Sequence, residues 1–169
     1  MSDVISSVLG SNGFWLFFGI LVGAVVQFIL HLMVQWQQRK TAKKIFCSEI
    51  EINLACLDAL EADLNNAKDE ISANQFPFGR LHMDMANFNY SAMGPLINSG
   101  HFHALLGASG TAAYFRFVNT FNAEKARIYE DLFSWKHKEG RSLAFLRLWI
   151  EKKIPEARQD LVTIKGQLS

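Results

Sequence analysis

Histidines and cysteines are the side chains of this 169-residue chain with the widest chemical reach. His101-Phe102-His103 sets two imidazoles two residues apart, and Arg80-Leu81-His82-Met83-Asp84 sets an imidazole beside a carboxylate. If their loops converged, His101, His103 and Asp84 would form a nitrogen- and oxygen-rich set suited to a divalent transition metal. No HExxH accompanies them, and ordinary surface or core roles are expected for these histidines and for His137. The chain also lacks GxSxG, GxxxxGK[ST] and GxGxxG, so the nucleophile elbow and both phosphate cradles are missing. No catalytic, cofactor-binding or metal-binding residue is assigned, no cofactor is expected, and the chain does not read as an enzyme. Cys47 and Cys56 lie nine residues apart in a helical stretch. That places them about 13.5 Å apart on opposite sides, too far to bridge. With no CxxC they read as free thiols in a reducing compartment.

A second chemically interesting set is embedded in grease. Phe14 to Trp36 contains no Asp, Glu, Lys or Arg, and at 1.5 Å per residue it reaches roughly 34 Å, enough to cross a bilayer core. Within it Gly19, Gly23, Gln27, His31 and Gln35 recur at every fourth position. Gly19-Ile20-Leu21-Val22-Gly23 is a small-xxx-small motif that lets two helix backbones approach closely. Gln27 lies near the bilayer midplane, and polar groups at that depth turn toward protein or water. Two geometries fit. A right-handed crossing along the fourfold ridge buries the glycines with Gln27 and His31. A left-handed seam of Gly19, Gly23, Val26, Leu30 and Met33 leaves Gln27 and His31 flanking it, turned toward the axis of a ring. The polar residues then act as interhelical glue or line a narrow aqueous path.

The flanks set the topology. Residues 1–13 carry no Lys or Arg and only Asp3 as a charge, whereas Arg39, Lys40, Lys43 and Lys44 follow the apolar run. Positive-inside puts the N-terminus outside and the rest in the cytoplasm, with Trp15 and Trp36 as interfacial anchors. The run is too long, and exits into Gln35-Trp36-Gln37-Gln38, for a cleaved signal peptide. Three parts result: a short extracytoplasmic tail (1–13), a transmembrane helix (14–36) and a cytoplasmic helical bundle (37–169). Val4, Ile5, Val8 and Leu9 could form a small interfacial helix ended by Gly10 and Gly13.

The fold class is all-α. From Lys40 to Ile71 there is no Gly or Pro. Phe46, Asn53, Leu60 and Ala67 alternate with Ile50, Leu57, Leu64 and Ile71 in a heptad seam, which Leu54 widens toward a bundle helix rather than a free coiled coil. Asn53 is placed to set register. Nothing interrupts the chain between the anchor and this helix, so one rod of about 90 Å is expected. Ala73 to Gly79 is a loop; Leu81–Met93 is expected to be a short helix; Pro95 opens a brief piece ending at Asn98-Ser99-Gly100. Ser109 is the expected N-cap of a long helix from Gly110 or Thr111 to about His137, with Tyr114, Val118, Phe121, Ile128, Leu132 and Trp135 as its core face. Ser142–Lys153 (Leu143, Leu146, Ile150 inward) and a last helix opened by Pro155 and ending near Leu168 complete the chain.

The net charge of +1 hides a division. Glu49 to Asp84 holds eight acids against Lys68 and Arg80, while Thr111 to Arg158 holds ten Lys or Arg against six acids. Either one half packs on the other, or neighbouring copies are oriented by complementary faces. Interleaved acids dilute the basic half, and direct nucleic-acid binding is not expected. The layout resembles small single-pass proteins of bacterial defence islands, including the pore-forming membrane accessory of RNA-targeting CRISPR systems, in which one membrane helix precedes an HEPN-like bundle. The resemblance is architectural. The nuclease motif Arg-x4-6-His is absent, so no family residue carries over. What it implies is a ring in the bacterial inner membrane that perturbs that membrane as an antiphage effector. The expected function is therefore an oligomeric pore or membrane-perturbing assembly whose partners are lipid and copies of itself. The alternative is a membrane-tethered scaffold whose bundle recruits a protein.

Overall fold

A computed structural model describes residues 12–76 and 81–168, with only the backbone of Asn12 and Phe14. The tail helix expected around Val4 to Leu9, and Pro77, Gly79 and Arg80, lie outside the described residues. Among them the secondary structure is helical with no strand: α1 (Asn12–Ser72), α2 (Met93–Asn98), α3 (His101–Thr120), α4 (Ala123–Lys138), α5 (Ser142–Leu148), a π turn (Trp149–Lys153) and α6 (Ile154–Leu168). The chain divides into two units at Thr41/Ala42.

The first unit contains the N-terminal part of α1. Every described side chain from Trp15 to Thr41 is exposed, which leaves a long apolar cylinder with no cover from the described residues of the unit. This is one helix near the N-terminus long and apolar enough to cross a membrane.

In the second unit the heptad seam of α1 is the spine of the core. Phe46, Ile50, Asn53, Leu57, Leu60, Leu64 and Ala67 are buried and Ile71 is half-buried against them, as the a/d pattern requires of a bundle helix. Aromatic rings fill the centre: Phe46 meets Phe102 and Tyr114 edge-on, and Phe117 stacks on Phe121 at 5.3 Å. The helix stops at Ser72 in a Schellman turn. Asn74 takes the left-handed conformation (φ 53°), Gln75 N–H reaches Glu70 O and Asn74 N–H reaches Ile71 O. The antiparallel return of α6 is fixed by Arg158, which bonds Asp58 and Glu61 at 2.6 Å, and by Lys165, which bonds Glu51 at 2.9 Å. The acidic spine and the basic C-terminal half thus pair within one chain.

Three expectations are corrected. Leu81–Met93 is not a helix but an irregular, partly extended segment. Leu81, Met83 and Met85 point inward at every second position while His82 and Ala86 are exposed. Its short polar side chains also capture backbone N–H groups: Asp84 takes that of Ala86, and Asn89 that of Ser91. Such local bonds compete with a helix.

The single helix expected to about His137 is two. Phe121 (φ −110°, ψ 70°) leaves the helical region, and Asn122 caps α4 by accepting Lys125 N–H at 3.0 Å. The first break lies at Gly107 (φ 62°), not at Ser109, so α3 is kinked; an L side chain rarely adopts that φ. The phase reset at 121–122 changes the face α4 presents. Tyr114 and Phe121 are buried and Val118 half-buried, but Ile128, Leu132 and Trp135 are exposed, and Ala126 and Phe133 take the core positions.

The break expected before Pro155 is also absent. The π turn carries α5 into α6, and Ile154 N–H reaches Trp149 O. A wider turn gives room for the proline ring, whose missing N–H would leave an α-helical ladder incomplete.

Candidate functional site

The fourfold polar row lies on the exposed N-terminal part of α1. Gly19 and Gly23 are helical, and an added Cβ on either would meet nothing within 4 Å. The notch they form is open. Two turns on, Gln35 Nε2 lies 2.9 Å from His31 Nε2. With the amide donating, that ring nitrogen accepts, and the imidazole proton sits on Nδ1, free to be offered outward. Gln27, one turn earlier, is exposed and has no side-chain partner among the described residues. Lys40 stands over the Trp36 ring at 5.0 Å, a cation–π contact that anchors the aromatic end of the segment. Arg39, Lys43 and Lys44 continue the basic cluster within the next two turns. At the other end Trp15 meets Phe18 edge-on at 6.3 Å. All eleven residues singled out in the sequence therefore fall on one helix, and Gly19, Gly23, Gln27, His31 and Gln35 follow one stripe that winds about 40° per step of four.

The histidines outside this helix do not come together. His101 and His103 occupy the first turn of α3, and His103 Nδ1 lies 3.3 Å from Thr111 Oγ1. The Asp84 carboxylate is instead engaged by Ala86 N–H and by Asn87 at 2.6 Å. His82 pairs with Glu130 at 3.1 Å, and the same carboxylate oxygen accepts Met83 N–H at 2.8 Å. Among the described residues no three of His, Cys, Asp or Glu converge closely enough to hold a metal ion. Cys47 and Cys56 are free and half-buried.

One polar cluster escaped the sequence reading. Glu49 is only 2% exposed. Its Oε1 accepts from Tyr114 Oη at 2.5 Å and its Oε2 from Ala92 N–H at 2.6 Å. Burial raises the carboxyl pKa above its ordinary value, opposed by those hydrogen bonds. Burial and the adjacent Glu49 together push the Tyr114 phenol far above its ordinary range. One turn further, Asn53 is fully buried; its Nδ2 donates to Asn89 O at 2.8 Å and its Oδ1 accepts Asn89 N–H at 2.7 Å. Asn53 thus pins the irregular segment rather than setting a coiled-coil register. The signal was available: a glutamate between Phe46 and Asn53, beside the apolar seam. The cluster is sealed and completes the backbone bonding of residues 89–92, a structural task.

No family model, no curated protein and no solved structure matches this chain.

Proposed function

We propose that the chain is an oligomeric single-pass membrane protein. The N-terminal part of α1 crosses the bilayer with its N-terminus outside and the bundle in the cytoplasm, and copies assemble into a pore or membrane-perturbing ring. The observation that carries this reading is the uncovered polar row on an uncovered apolar helix. Among the described residues Gln27 has no side-chain partner and His31 Nδ1 has none either. In hydrocarbon such groups are costly to leave unpaired. The glycine notch on the same winding stripe allows the close approach that would bring them against a second copy. Arg39, Lys40, Lys43 and Lys44 favour the cytoplasmic side for the bundle.

The test is flux through vesicles reconstituted with the full chain, compared with Gln27→Leu/His31→Leu. The expected result is dye or ion flux from the wild type and its loss in the variant. Equal flux from both, or none from either, would end the pore reading. If replacing the apolar segment by an unrelated membrane helix preserved biological activity, the tethered-scaffold alternative would take its place.

A further inference from the structure

The bundle carries a shallow groove between α4 and α5 that the described residues leave open. Its walls are Tyr129, Leu132, Phe145, Leu148 and Trp149, its volume is about 410 Å³, and Lys136, Arg141 and Lys153 stand at its rim. Beside it Ile128, Leu132 and Trp135 form an exposed i, i+4, i+7 ridge, each at least 40% exposed. Large apolar side chains grouped in this way mark an interaction surface. From Leu132 to Lys153 there are six Lys or Arg against Glu139 and Glu151. Glu139 approaches Lys136 and Arg141 at 3.8 and 3.6 Å, and no ion pair involves Lys153 among the described residues. The groove therefore asks for an acidic occupant.

This same chain offers one at the same height. Arg158 lies against Asp58 and Glu61, so Lys153, upstream on the antiparallel return, stands near the last turns of α1. Phe145 packs on Phe133, and Phe133 on Phe76, which follows the end of α1. Across those last turns Asp63, Asp69 and Glu70 are exposed, and no ion pair involves them among the described residues. Between them Ala59, Ala62 and Asn66 make a low, exposed surface on the face opposite the core seam, against which a ridge of Leu and Trp can seat.

We infer that the α4–α5 groove is the docking site for the acidic outer face of α1 of a second copy. The two surfaces differ, lie at equal height along the helices and carry opposite charge. A head-to-tail contact of this kind repeats from copy to copy, and closes into a ring where the rotation between neighbours allows. The inference rests on the oligomeric reading above and adds the cytoplasmic contact to it.

The test uses the full chain in detergent, with oligomer mass read by light scattering. Reversing the rim with Lys136→Glu, Arg141→Glu and Lys153→Glu is expected to weaken assembly by roughly tenfold or more. Adding Asp63→Lys, Asp69→Lys and Glu70→Lys to that variant should restore it, a rescue that misfolding cannot imitate. Independently, Ala62→Cys with Leu132→Cys, in a background lacking Cys47 and Cys56, should give a ladder of disulfide-linked multimers. Wild-type assembly that the reversal leaves untouched, or a cysteine pair that yields only monomer from an oligomeric sample, overturns the docking site and spares the oligomer. A monomeric wild type overturns both.

Discussion

The two parts of α1 place the same kinds of residue in opposite circumstances. From Ala42 to Ser72 the helix buries its apolar seam, and its polar intruders Glu49 and Asn53 each find two partners within the chain. From Trp15 to Thr41 the apolar residues lie open, and of the intruders Gln27, His31 and Gln35 only the last two meet each other. The contrast separates two ways of satisfying a polar group on an apolar helix. In the bundle the partners are supplied in cis by residues 89–92 and by Tyr114. In the other unit the described residues supply none to Gln27, and the helix's own backbone groups are already bonded to one another.

That contrast can be attacked at each end. The largest expected effect is Phe46→Ala, which removes a fully buried ring at the centre of the aromatic core and should cost about 3–5 kcal/mol of bundle stability. The matched change Phe28→Ala, on the exposed part, should leave it within about 0.5 kcal/mol. Denaturant unfolding of the full chain in detergent measures both, and equal losses would erase the distinction between the parts.

Asn53→Leu comes next. It strips Asn89 of side-chain partners for both its N–H and its carbonyl, and leaving these two half-buried groups unsatisfied should cost about 2 kcal/mol together. Hydrogen exchange should accelerate first at Asn89, ahead of the centre of α3.

A smaller effect is expected from pH. The folded-state pKa of Glu49 lies above its unfolded value of 4.5, so the native state holds the proton more tightly. The contribution is full below pH 4.5 and is lost as pH rises through the folded value. Glu49→Gln, which cannot ionise, should flatten the fall in melting temperature between pH 4.5 and neutrality. An unchanged slope would mean that another group sets it.

The smallest effect on the bundle sharpens the contrast most. Gly19→Leu with Gly23→Leu meets no atom of its own chain, so bundle unfolding should shift by less than about 0.5 kcal/mol. Oligomer mass should nevertheless fall, because the notch is filled.

The spine was legible because a seven-residue repeat uninterrupted by Gly or Pro admits few other readings, and each seam position from Phe46 to Ala67 is buried. The polar row was legible for the same reason, periodicity on one helix. Less could be read where helical phase depends on one backbone angle. Phe121 looks like a core helix residue, and it is buried, yet its ψ of 70° ends α3. Carrying the period through it placed Ile128, Leu132 and Trp135 inward when they face out. The Asn122 cap was a sign of that break. Leu81–Met93 misled differently: its alternation of apolar and polar residues has no neighbouring strand among the described residues, and it is held by Glu49, Asn53 and Glu130 from distant parts of the sequence. Long-range side-chain capture of this kind leaves no local periodic trace.

The π turn at Trp149–Lys153 makes the C-terminal helix a matter of counting. Such a turn houses one residue more than the α-helical turn it replaces. Winding the same residues as an unbroken α-helix would turn every later side chain round by about 100°. Leu161, Ile164 and Leu168 would swing toward water, and Arg158 would lose its place opposite Asp58 and Glu61. The last fifteen residues are thus held in angular step with the spine by a surplus of one.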